Sequence, residues 1–210
     1  MPRLRGVFHQ YAFVAAVIAG TLLVVLADGY FERFAVWVYA MALAAMFGAS
    51  ALYHRYPWRS PSARLRARRL DHAMIFVFIA GTYTPFAVLA LPERTGLIVL
   101  AVVWAGALGG VVLKIAWPHA PRWVGVPFYL ALGWVAVFVM PELLANGGVT
   151  AFVLILLGGL LYTVGAIFYA TRWPDPWPRT FGYHEFFHAA VTLAALAHCV
   201  AIWLILYHVG

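Results

Sequence analysis

The chain has 210 residues, of which 65% are hydrophobic and only 10% charged. A soluble domain carries about 25% charged and about 45–50% apolar residues, and a chain of this length has too little interior to hide the excess, so lipid must be the solvent for most of its surface. The net charge of +7 does not argue for a nucleic-acid partner, because the basic residues lie where a membrane protein places them.

A helical span needs about 20 mostly apolar residues. In chain order, seven such stretches are predicted: 8–28, 34–54, 71–91, 95–116, 123–141, 149–171 and 184–207. The first follows a basic start, Arg3 and Arg5, and resembles a signal peptide. It is long for one and lacks a small-x-small cleavage site, so it reads as a span. The gaps carry proline, glycine and charge: Asp28-Gly29, 57–69, Pro92-Glu93-Arg94, 118–121, Asn146-Gly147-Gly148 and 173–182. Only helices and closed barrels satisfy their backbone in lipid, and long continuous apolar runs select helices over ten-residue alternating strands. The expected fold is all-α, a polytopic membrane protein of seven transmembrane helices forming a single domain, 1–210.

Basic residues set the orientation. With the N-terminus cytoplasmic, the inner side holds Arg3, Arg5, Arg55, Arg59, Arg64, Arg66, Arg68, Arg69, Lys114, Arg122, Arg172 and Arg179; the outer side holds Arg33 and Arg94. Twelve against two places the N-terminus in the cytoplasm and the C-terminus outside, in the cell's inner (cytoplasmic) membrane. The basic residues then face anionic headgroups. Gly106, Gly109 and Gly110 in the fourth span, and Gly158, Gly159 and Gly165 in the sixth, read as helix-packing faces. Pro85 removes a backbone donor and should bend the third span. The lone Cys199 has no partner for an internal disulfide.

This topology gathers polar residues at one rim. Ser50 and His54 end the second span, four residues apart and so on one helical face. Asp71 and His72 begin the third, and His184, Glu185 and His188 begin the seventh, at the same depth. Each has an ordinary explanation: a first-turn acid favoured by the helix dipole, or an interfacial histidine acting as an anchor. As a set, two histidines at i and i+4 plus a third on another helix form a three-ligand metal site, and intramembrane ionisable groups are functional candidates. Both readings stand on the residues alone. His184-Glu185-Phe186-Phe187-His188 also fits H-E-x-x-H, in which Glu185 would be the general base of a metallopeptidase. His9, His119 and His208 read as interfacial anchors, and His72 projects away from the set. His198, about 20 Å deeper than His184 on the same helix, reads as an interhelical hydrogen-bonding residue or as the wall of a cavity.

Four runs together carry a family resemblance: Ser50-Ala51-Leu52-Tyr53-His54, Arg68-Arg69-Leu70-Asp71-His72, Gly81-Thr82-Tyr83-Thr84-Pro85-Phe86 and His184-Glu185-Phe186-Phe187-His188. The chain resembles the bacterial hemolysin III family, which is related to the progestin and adipoQ receptors, including the adiponectin receptors. The resemblance covers nearly the whole chain. It implies a Zn2+ ion near the cytoplasmic face, with His54, His184 and His188 as ligands, Asp71 reaching the metal through a water, and Ser50 one turn deeper than His54. All five positions are filled. It also moves the role of base from Glu185 to Asp71, and it implies a kinship with ceramidases.

The expected activity is therefore hydrolysis of a lipid amide. Asp71 would accept a proton, and Ser50 would orient Asp71 or stabilise a developing oxyanion. Membrane lipids are the expected partners, with a lipid amide or a fatty acid inside the helix bundle. Two alternatives use the same chain: a membrane-homeostasis factor, sensor or receptor in which zinc is structural, and a pore-forming hemolysin. No span carries the stripe of charge that would suit a pore. Neither the substrate nor the oligomeric state can be read from the residues.

Overall fold

The computed structural model describes residues 2–209, with side chains through Tyr207; the side chain of His208 lies outside the described residues. Among the described residues the regular structure is helical. In order come α1 (Val7–Leu26), α2 (Tyr30–Arg55), α3 (Pro61–Ala90), α4 (Glu93–Ala116), α5 (Arg122–Gly133), a 3-10 stretch (Trp134–Val139), α6 (Met140–Thr171) and α7 (Tyr183–Val209). Six segments are long and apolar enough to cross a membrane: α1 to α4, the segment Arg122–Thr171, and Tyr183–Tyr207. This is an all-helical, multi-pass membrane protein. Large apolar side chains such as Phe138, Leu108 and Val149 lie exposed on its outside, as a lipid-facing surface requires.

The expected fifth and sixth spans both fall within Arg122–Thr171, which is helical almost throughout. The segment is not a straight rod. Gly148 has φ 79° and ψ 161°, a backbone region open essentially to glycine alone. Arg122 Nη1 donates to the Tyr169 carbonyl at 2.7 Å, 47 residues along the chain. A straight helix would separate those residues by about 70 Å, so the segment doubles back on itself. Asn146 Nδ2 ties the bend to α3 by donating to the Ala90 carbonyl at 2.9 Å.

The third helix begins ten residues before the expected span. Ser60 caps it, its hydroxyl accepting from the Ala63 N–H, and Pro61 opens the first turn. Serine at the N-cap followed by proline at the first position is a strong start signal. Arg64, Arg66, Arg68 and Arg69 therefore ride on helix rather than loop, and Arg68 donates to the Pro118 carbonyl. The helix continues through Pro85. The neighbouring Thr82 and Thr84 hydroxyls bond back to the carbonyls of Phe78 and Ala80.

Helices α1 to α4 pack in sequence order. The last helix, α7, packs on α6, α1 and α3, which returns the end of the chain to its beginning. Helix α3 touches α2, α4, α5, α6 and α7 and forms the centre of the bundle. Small residues permit this close packing: Gly110 abuts the Phe76 ring, Gly106 abuts Leu132, and Gly165 abuts Ala190. Gly159 has no such neighbour and lines the cavity described below.

Candidate metal centre

The last turns of α2 hold Ser50 and His54, and the first turns of α7 hold His184 and His188. Glu185, the third residue of α7, begins that helix by accepting the Gly182 N–H at 2.8 Å, the backward half of a capping box. Packing at the end of the bundle brings the three imidazoles together. Their ring centroids are 4.9 Å (His54–His184), 5.1 Å (His54–His188) and 4.6 Å (His184–His188) apart.

One ring nitrogen from each can be chosen so that all three lie within 4.8 Å of one another. The Nε2 atoms of His54 and His184 are 3.3 Å apart. Zinc–nitrogen bonds of about 2.0–2.1 Å in a tetrahedron set ligand nitrogens about 3.3 Å apart, so the His54–His184 pair already has that spacing. The cluster thus offers three imidazole nitrogens that converge on one point, the donor set of a three-histidine site. The three histidines can hold a metal ion.

Two further groups face the cluster. The carboxylate of Asp71, near the middle of α3, lies with Oδ2 3.8 Å from His54 Nε2. Ser50, buried on α2, places its hydroxyl beside that carboxylate. The five residues that the resemblance implies for the site are thus brought together. His72 stands outside the metal cluster but lines the same cavity.

That cavity is apolar for most of its length. On α3 its wall runs Asp71, Ile75, Phe78, Thr82, Phe86 and on to Leu91, about 30 Å of helix. Opposite stand Val126, Leu130, Val139 and Leu143, with Ile155 and Tyr162 of α6. Ser50, Asp71, His184 and His188 line one end. A long hydrocarbon slot ending on convergent polar groups is the general form of a site for an amphipathic small molecule.

The Haemolysin-III related family matches residues 1–199, which include these five residues. The chain belongs to this family. It is 29% identical over 204 residues to the Hemolysin-3 homolog of Bacillus subtilis (strain 168), covering 95% of this chain and 92% of that protein. It is 27% identical over 202 residues to the human monocyte to macrophage differentiation factor, covering 95% and 82%. It is 30% identical over 190 residues to heptahelical transmembrane protein 3 of Arabidopsis thaliana, covering 81% and 55%.

In this haemolysin-III related protein the remaining histidines divide. His119 is exposed, as an anchor would be. His198 takes both expected roles: its Nε2 donates to the Ile155 carbonyl of α6 at 3.1 Å, and its side chain lines the cavity. Gly158 makes room for it, since a Cβ there would fall 2.3 Å from that nitrogen. His9 departs from expectation. It is 2% exposed and lies flat on His188, with centroids 3.8 Å apart and planes at 8°. Anchoring does not describe it. Glu185 faces away from the cluster and pairs with Arg5, which leaves the H-E-x-x-H glutamate bound to a structural task. The pairing of His9 with α7 joins the two ends of the chain and has no local signature in the sequence.

Proposed function

We propose that this chain is a zinc-dependent hydrolase of lipid amides in the inner (cytoplasmic) membrane, crossing it seven times with its N-terminus in the cytoplasm. The observation that carries the hydrolase reading is the apolar cavity ending on the histidine cluster and Asp71. The reversal within Arg122–Thr171 favours counting that segment as two crossings. The word "heptahelical" in the name of the Arabidopsis relative agrees with that count. The twelve-to-two distribution of basic residues favours the orientation.

His54, His184 and His188 would hold zinc, which would supply a Lewis acid when bound. The chain's own groups do the rest. The cavity holds the acyl chain and keeps its amide at the polar end. Asp71 accepts the proton of the attacking water as the carbonyl carbon–oxygen bond forms, and returns it to the amine as the carbon–nitrogen bond breaks. Ser50, beside Asp71, orients the carboxylate. Products are a fatty acid and an amine. The cavity shape suits either the amide or the released acid as a bundle ligand.

The test is release of fatty acid from an N-acyl sphingoid amide by purified, zinc-loaded protein in lipid nanodiscs, followed by mass spectrometry. Release that disappears in Asp71→Asn supports the reading. Intact amide with zinc bound overturns it and leaves the metal as a clamp between α2 and α7, in a sensor or receptor. Leakage of dye from liposomes at the same protein density would favour a pore instead.

A further inference from the structure

The histidine cluster sits at the ends of two helices, where side chains ordinarily meet water. Yet His188 is 2% exposed and the His54 side chain 3%. The chain's own N-terminal segment covers them. Gly6, at φ 79°, passes so close to α2 that a Cβ there would lie 2.6 Å from the His54 Cβ. His9 covers His188 face to face. The backbone N–H groups of Arg3 and Leu4 donate to the Arg179 and Thr180 carbonyls at 3.1 and 3.3 Å, and Phe8 meets Phe181 edge-on. Arg5 donates to Glu185, next in sequence to His184.

We propose that residues 3–9 form a cap closing the water-facing side of the histidine cluster, latched by Arg5 on Glu185. Glu185 has no solvent exposure, and a buried carboxylate persists only with a cation and hydrogen-bond donors around it. Arg5 supplies the cation and Gly182 the N–H. Removing either charge leaves the other stranded, so the cap opens. A closed cap leaves the apolar cavity as the route to the cluster, which selects a ligand that partitions into the bilayer over one dissolved in water. That consequence deepens the lipid-amide reading and rests on it; the cap itself needs no metal.

Diethylpyrocarbonate labelling of purified, chelator-treated protein in nanodiscs, mapped by mass spectrometry, tests the cap. Exposed His119 is the internal standard, and His198, buried between α6 and α7, reports the integrity of the bundle. We expect His54 and His188 to react far more slowly than His119 in the parent protein. In Arg5→Gln or Glu185→Gln their rates should rise about tenfold or more, with His198 still protected, while Arg5→Lys keeps the parent protection. The proposal is overturned if His54 matches His119 in the parent, or if neither glutamine variant changes its rate. Reactivity appearing at His198 as well also overturns it, because the pair would then hold the whole fold and not a local cap. Metal content plays no part in this readout, so failure of the zinc reading and failure of the cap are separable.

Discussion

Asp71 Oδ2 lies 3.8 Å from His54 Nε2, across the turn that joins α2 to α3. An acid at that distance from a metal-binding imidazole can serve a water held between them, and it is not itself one of the three clustered ligands. Asp71→Asn is therefore expected to lower lipid-amide turnover by about 10²–10⁴-fold while zinc content stays at the parent level. Parallel measurement of turnover and zinc checks this; loss of both together would make Asp71 a ligand instead.

Glu185 separates this site from a metallopeptidase of the H-E-x-x-H type. Its carboxylate is engaged by Arg5 and by the Gly182 N–H. Glu185→Gln should reduce turnover far less than Asp71→Asn, through loosening of the cap. Equal losses in the two variants, with zinc retained in both, would return the role of base to Glu185.

Tyr83 fixes the irregular stretch that follows α5. Its hydroxyl donates to the Gly133 carbonyl at 2.6 Å and accepts the Ala136 N–H at 2.7 Å. Tyr83→Phe strands both backbone groups and is expected to cost about 1–3 kcal/mol of stability. Denaturant unfolding in detergent measures it, and an unchanged midpoint would show that water replaces the hydroxyl.

Gly158 and His198 are matched in shape. Gly158→Ala would force a Cβ into the imidazole, at about 1–3 kcal/mol, the usual cost of overpacking. Adding His198→Ala removes the clash, so the double variant should be more stable than the sum of the single effects allows. Simple additivity would show that the two residues do not touch.

The rim was legible because it depends on features that survive in sequence. Hydropathy fixes where helices end, and the four-residue spacing of Ser50 with His54 and of His184 with His188 fixes their faces. The apolar spans that end at His54, begin at Asp71 and begin at His184 then had to meet at one depth. The longer reach of α3 is also written locally, in Ser60 and Pro61, but the basic residues after them are too polar for a hydropathy pattern to join to the span. The Arg5–Glu185 pair spans 180 positions. Nothing near either residue announces the other, since a first-turn glutamate and a basic N-terminus each have an ordinary explanation. His9 was hidden in the same way. The break inside Arg122–Thr171 is legible as well: Asn146-Gly147-Gly148 reads as a gap, and Gly148 leaves helical geometry there.

The central claim is the metal. Elemental analysis of protein purified without added zinc tests it most directly, comparing the parent with a His54→Ala, His188→Ala double variant. Three clustered histidines predict about one zinc per chain in the parent and loss of it in the variant. A parent without zinc, or a variant that keeps it, would contradict the account.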